Sequence, residues 1–146
     1  MYTLEELKPL IIEWANERDL IHSENADKQR LKLIEECGEL ASAILKNDIK
    51  KQKDGIGDIF VVLTILAEQI EYKLRFNHFT PTPIQSKFNS IFDILSHTEI
   101  NINKSIDYLN DICIDLNHDL IECVNIAYNE IKDRKGKTEN GTFIKD

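Results

Sequence analysis

KDGIGDIFVVLTILAEQ, residues 53–69, changes from charged to almost wholly apolar at one residue, Asp58. From Ile59 to Ala67 only Thr64 interrupts the apolar run. A helix that is hydrophobic on every side must be covered on every side, so a third helix over roughly 50–74 is placed at the centre of a bundle. A bilayer-spanning helix needs about 20 apolar residues, and this run falls far short of that.

Working outward, the first helix opens on a capping box, Thr3 with Glu6, and buries Leu7, Ile11 and Trp14 along one stripe. A polar loop from Asp19 to Asn25 leads to a second helix over roughly 26–46, with Leu31, Ile34, Gly38, Ala41 and Leu45 as its expected core face and Asn47-Asp48 as its break. Downstream, FNHFTPTP at 76–83 is the clearest punctuation, with Thr82 as N-cap and Pro83 in the first helical position. Ile84, Phe88, Ile91, Phe92 and Leu95 then mark a short amphipathic helix. Beyond it Ile102, Ile106, Leu109, Cys113, Leu116, Leu120, Cys123 and Ala127 alternate four and three apart, a heptad seam. With no Gly or Pro before Gly136, the seam predicts one long C-terminal helix stopping there, packed along its own bundle or against a partner subunit. The expectation is an all-α bundle of four to five helices in a single domain, 1–146, with a C-terminal tail at 136–146.

Composition narrows the function. The chain has 146 residues, 42% hydrophobic and 30% charged, which fits a globular protein with a real core. A formal net charge of −8 argues against a general nucleic-acid binder. The N-terminal residues lack the basic-then-apolar pattern of a signal peptide, and no span points to a membrane partner. Cys37, Cys113 and Cys123 have no metal-type spacing and sit at helical core positions, so a reduced, cytoplasmic protein without disulfides is expected. The four histidines are scattered, which disfavours a transition-metal site.

The chemistry is concentrated in carboxylates. KLIEECGELA places Glu35, Glu36 and Glu39 within five residues, and Asp54 and Asp58 open the apolar helix. At 100° per residue Glu36 and Glu39 lie about 60° apart, nearly opposite the Ile34/Ala41 stripe, as on a solvated face. Asp58 is different. It borders the core, and the positions three and four residues on are Val61 and Val62, so no local cation neutralises it. Antiparallel packing of the second and third helices brings Glu36 and Glu39 opposite Asp58, a hard-oxygen set suited to Mg²⁺ or Mn²⁺.

These residues resemble the MazG-like, all-α nucleotide pyrophosphohydrolases, especially the compact phage-type members. Their E-E-x-x-E helix is complete here as Glu35-Glu36-Cys37-Gly38-Glu39. KQRLKLIEECGELASAI, IGDIFVVLTILAEQ and the tail AYNEIKDRKGKTENGTFIKD are also similar to the family. The second motif, E-x-x-D, departs from it: Gly55-Ile56-Gly57-Asp58 has glycine where the family has glutamate. Asp54, four residues from Asp58 on the same helix face, is the substitute the sequence offers. Residues 73–100 resemble an insertion relative to the compact members.

The resemblance implies Glu36, Glu39 and Asp58 as Mg²⁺ ligands, and Glu35 as a further acid that orients a water or aids a second metal. It implies hydrolysis of a nucleoside triphosphate to the monophosphate and pyrophosphate, with Glu35 or Glu36 able to accept the water's proton. The basic run Lys132, Arg134, Lys135 and Lys137 either neutralises the phosphates or complements a helix C-terminus. For the base the resemblance puts forward Trp14, as a stacking surface or simply a core residue, and Gln29, with Asn129 as a further polar group. A homodimer or homotetramer follows from the seam and the resemblance. Gly55 keeps a second reading open, a helical module that binds nucleotide or protein without turnover.

Overall fold

The computed structural model describes residues 1–76 and 87–146, with only the backbone for 87–89. Thr82, Pro83, Ile84, His78 and the Phe88 side chain therefore lie outside the described residues. The remainder is mostly helical: α1 Leu4–Asn16, α2 Ala26–Leu45, α3 Ile49–Gln69, α4 Lys87–His97, α5 Ile102–Asp115 and α6 Leu120–Ile131. A two-stranded antiparallel sheet follows, β1 Gly136–Glu139 and β2 Thr142–Lys145.

Helix α3 is the hub, packed against α1, α2, α5 and α6. Its residues Ile59–Ala67 are all buried, as the all-round apolar run requires. Its pairing with α2 is antiparallel. Gln52 donates to the Ala43 carbonyl, Gly55 abuts Leu40, and Gln29 donates to the Val62 carbonyl, so positions rise on one helix as they fall on the other. Against α6 the approach is closer still. A Cβ at Gly57 would stand 2.3 Å from the Cys123 carbonyl oxygen, so only glycine lets these two backbones meet. The N-terminal strand of chain is pinned to α6 by a reciprocal pair, the Tyr2 amide donating to Asn125 Oδ1 and Asn125 Nδ2 donating to the Tyr2 carbonyl.

The expected capping box is present: the Glu6 amide donates to Thr3 Oγ1 at 3.2 Å and the Thr3 amide to Glu6 Oε2 at 2.8 Å. Leu7, Ile11 and Trp14 are buried as read. All three cysteines are free and buried. No described helix is long and apolar enough to cross a membrane.

Among the described residues six α-helices and a hairpin stand where four to five helices were expected, and other expectations also need correction. The core face of α2 is Leu33, Glu36, Cys37, Leu40 and Ala43. Leu31, Ile34 and Leu45 instead lie 59%, 54% and 86% exposed, and Gly38 is exposed beside them. The third helix ends at Gln69, short of residue 74, with Glu71 in the left-handed region at φ 56°. In α4 Phe92 is exposed, and Ile94 takes the fully buried position.

The long C-terminal helix is two helices. Asn117 adopts φ 60°, and the amides of Asn117 and His118 donate to the carbonyls of Ile114 and Cys113, closing α5 in a Schellman motif. Asp119 then caps α6 by accepting from the Glu122 amide at 2.9 Å. The seam survives the break because it lies inside the chain's own core, from Ile102 to Ala127. Gly136 does not stop a helix, since α6 ends at Ile131 and Gly136 begins a strand.

The tail is a β-hairpin turning at Asn140-Gly141, φ 50° and 80°, the positive pair that a two-residue type I′ turn requires. It is held to α1. Thr138 Oγ1 donates to the Arg18 carbonyl at 2.6 Å, and Arg18 Nε donates to the Arg134 carbonyl at 3.0 Å. The Phe143 ring packs edge-on against Trp14, with centroids 5.1 Å apart.

Candidate functional site

Helices α1, α2 and α3 and the hairpin enclose a cavity of about 440 Å³. Its acidic side comes from the antiparallel α2/α3 pair, where Glu35, Glu36 and Asp58 all line the space. Trp14, Gln29, Val61 and Phe143 contribute to its walls. Of the expected basic residues Arg134 alone lines it, and Lys28, Lys32 and Lys145 join it there.

Glu36 is only 6% exposed although it is charged. Its Oε1 accepts an ion pair from Lys32 Nζ at 3.0 Å, and the same ammonium reaches Glu35 Oε2 at 3.0 Å. The other oxygen, Oε2, is buried without a hydrogen-bond partner. Burial pushes the Glu36 carboxyl above its ordinary range, against the pull of Lys32. Asp58 is pushed up to about 7, first by burial, then by the negative charges of Glu36 and Glu130, with Arg134 acting in the opposite sense. Two carboxylates on facing helices, each with its proton affinity raised first by burial and Asp58 further by Glu36, form a site short of positive charge.

A divalent cation suits this pair in part. Among the described residues no three His, Cys, Asp or Glu groups stand together as a closed metal cage. Mg²⁺, however, is commonly held by one or two carboxylates, with waters and substrate phosphates completing its octahedron. The orphaned Glu36 Oε2 beside Asp58 is a donor set of that kind.

The other sequence-derived candidates are placed differently. Glu39 is exposed and Asp54 half-buried; neither lines the cavity, though each lies one helical turn from a carboxylate that does. Asp54 still contributes to the raised proton affinity of Asp58. A Cβ at Gly55 would sit 3.3 Å from Leu40 Cβ, so this position addresses the α2/α3 contact. Lys132, Lys135 and Lys137 are exposed and outside the lining; Lys135 lies beyond the end of α6, and Lys137 pairs with Glu139 at 3.1 Å. Asn129 is exposed and also outside.

Trp14 lines the cavity but is not a free stacking platform. The Arg18 guanidinium lies over its ring, 4.6 Å from the centroid, and Phe143 meets it edge-on. The indole Nε1 is buried and unpartnered. Gln29 is buried and binds the Val62 carbonyl through a long contact of 3.4 Å. Lys145 and Phe143 were not singled out from the sequence, although Asn140-Gly141 between short β-prone runs is the signal that folds them back onto the cavity.

Residues 24–80 match the MazG nucleotide pyrophosphohydrolase domain. The MazG-like character expected from the E-E-x-x-E helix is therefore shown over that segment. The chain is also 46% identical over 69 residues to an uncharacterized 18.2 kDa protein from the rep-hol intergenic region of Haemophilus phage HP1. That alignment covers 47% of this chain and 42% of the phage protein, so the chain spans less than half the length of the relative it matches. No solved structure matches the chain significantly.

Proposed function

We propose that this chain is a Mg²⁺-dependent nucleoside triphosphate pyrophosphohydrolase, converting an NTP or dNTP and water to the monophosphate and pyrophosphate. One observation carries the reading: the buried, unpartnered Glu36 Oε2 stands with Asp58 in a cavity that also presents Lys28, Arg134 and Lys145. Carboxylates alone would repel a polyphosphate, and cations alone would not activate a water. The combination suits phosphoanhydride hydrolysis, and the match of residues 24–80 to a nucleotide pyrophosphohydrolase domain supports it.

Glu36 and Asp58 would hold the Mg²⁺, with Mn²⁺ a substitute, and the ion would supply Lewis acidity toward phosphate oxygens. Glu35, at the cavity wall and only half committed to Lys32, is the group placed to orient a water and accept its proton. Lys32 ties the buried Glu36 to the exposed Glu35 through one ammonium. Arg134 offers a planar fork to phosphate oxygens. Val61, Val62, Ile65 and Phe143 keep the cavity walls apolar, which strengthens these charge interactions.

The working unit is proposed to be a homodimer or homotetramer in the cytoplasm. The support is the stripe of Leu31, Ile34 and Leu45, exposed on the face of α2 that turns away from its own core. A contiguous apolar helix face of this kind calls for a second helix, and another copy of the chain offers one.

The test is pyrophosphate release from a panel of NTPs and dNTPs with Mg²⁺, Mn²⁺ or EDTA. Metal-dependent pyrophosphate with an equal yield of monophosphate is the expected result. Gly55 favours a second reading, a nucleotide-binding module without turnover, because the family's glutamate is absent and the position faces Leu40. That reading predicts nucleotide-dependent thermal stabilisation with no product.

A further inference from the structure

The cations of the cavity are not equivalent. Lys32 is committed to Glu35 and Glu36. Arg134 is 4.0 Å from Glu130 and is felt by Asp58. Lys28 and Lys145 also line the cavity, yet neither has an ion pair or side-chain hydrogen bond among the described residues. They come from separate elements, the first turn of α2 and the last residue of β2. The hairpin turn rests on the Lys28 stem, since a Cβ at Gly141 would lie 2.9 Å from Lys28 Cγ, and Lys145 is at the other end of the strand that leaves this turn. The Arg18 bonds to the Arg134 carbonyl and Thr138 fix the hairpin in that position.

Lys28 and Lys145 are both exposed, and two unpaired ammonium groups lining one cavity in a chain with net charge −8 suit an anion of high charge density. A chain of phosphates can engage both while its other end meets the Glu36/Asp58 side. We infer that Lys28 and Lys145 bind the β and γ phosphates, the pyrophosphate that leaves, and so select triphosphates over monophosphates. This rests on the pyrophosphohydrolase reading, and it moves the phosphate-binding role from Lys132, Lys135 and Lys137 to the two lysines that line the cavity.

The experiment compares Lys28→Gln, Lys145→Gln and Lys132→Gln with the parent chain, using melting temperature to confirm folding. Glutamine keeps the Cγ that supports the turn, so loss of charge is read separately from loss of packing. Each of the first two changes should raise KM for the triphosphate about tenfold or more, the scale of one lost charge-assisted hydrogen bond. Inhibition by the monophosphate product should stay within about twofold, and Lys132→Gln should leave KM unchanged. Unchanged KM in both Lys28→Gln and Lys145→Gln overturns the assignment.

Calorimetric titration with Mg²⁺ and inorganic tripolyphosphate provides a readout independent of turnover. If the parent binds tripolyphosphate but hydrolyses nothing, loss of binding in the two variants upholds the lysine assignment while the enzyme reading falls. Equal binding by parent and variants, or no binding by the parent, overturns the lysine assignment.

Discussion

Lys32 Nζ stands 3.0 Å from Glu36 Oε1 and leaves Glu36 Oε2, on the same carboxylate, buried without a partner. The salt bridge therefore satisfies one side of the group and aims the other at whatever cation arrives. Glu36→Gln keeps the shape and removes the charge. Turnover should fall at least about a hundredfold, since a Lewis acid supplies several kcal/mol of transition-state stabilisation. Glu39→Gln, one turn away and exposed, should cost far less and act mainly on the Mg²⁺ concentration needed for half-maximal rate. Equal losses in a metal titration of the two variants would overturn the division.

Asp58 sets the pH dependence of stability. Its proton affinity is raised to about 7 in the folded chain, against 3.8 for the free group, so between those values the folded state holds the extra proton. Stability contributed by this group therefore falls as pH rises from about 4 to about 7, and the penalty is complete above that. Burial of Glu36 adds a term of the same sign. In EDTA, Asp58→Asn should be about 1–2 kcal/mol more stable than the parent at pH 8 and equal to it at pH 4, after allowing for partial solvent screening. Urea unfolding at the two pH values checks this; a flat difference across pH counts against it.

Arg18 clasps the hairpin to α1. Arg18→Ala removes the Nε bond to the Arg134 carbonyl and the cation over Trp14 together. A cost of about 2 kcal/mol is expected from the lost bond and ring contact. Hydrogen exchange should localise the effect, with amides of 136–145 losing protection while α3 keeps its own. Uniform loss across the chain would mean that Arg18 serves the core and not the clasp.

The exposed stripe on α2 gives the assembly prediction. Ile34→Glu, at a position 54% exposed, should leave helix content intact and shift sedimentation from oligomer to monomer. A parent chain that already sediments as a monomer would remove the assembly proposal and leave the site untouched.

Much of this fold was legible in the sequence, and the failures share a cause. The all-round apolar run of Ile59–Ala67 admits one interpretation, a central helix, and the capping box at Thr3 and Glu6 is purely local. Helix α2 is harder because it carries two apolar stripes, Leu33/Cys37/Leu40 and Leu31/Ile34/Leu45. Only contact with α3 decides which one is inside, and choosing the other turned Glu36 toward solvent. The helix stops were missed for a chemical reason. With only five glycines, the chain ends α1, α2, α3 and α5 on Asp19, Asn47, Glu71 and Asn117, each with positive φ, in Schellman-type closures. A reader waiting for glycine at residue 136 passes through the real turn at 117.

The candidate site was legible to the extent that charge near a core is informative. Asp58 stood out because nothing local could neutralise it. The basic wall did not, because Lys28 and Lys145 are 117 positions apart in sequence and line one cavity only once the hairpin folds back.

Trp14 on α1, Arg134 after α6, and Phe143 and Lys145 on the hairpin all lie outside residues 24–80, whereas Glu35, Glu36 and Asp58 lie within them. The carboxylate half of the cavity thus sits in the matched segment, and much of the remaining wall is contributed from beyond it. Divergence in α1 or the hairpin can reshape ligand preference while the carboxylates stay fixed. Proteins alike in the matched segment need not share a ligand, and grafting this hairpin and its Arg18 clasp onto another chain that carries the segment should transfer ligand preference while the carboxylates stay those of the recipient.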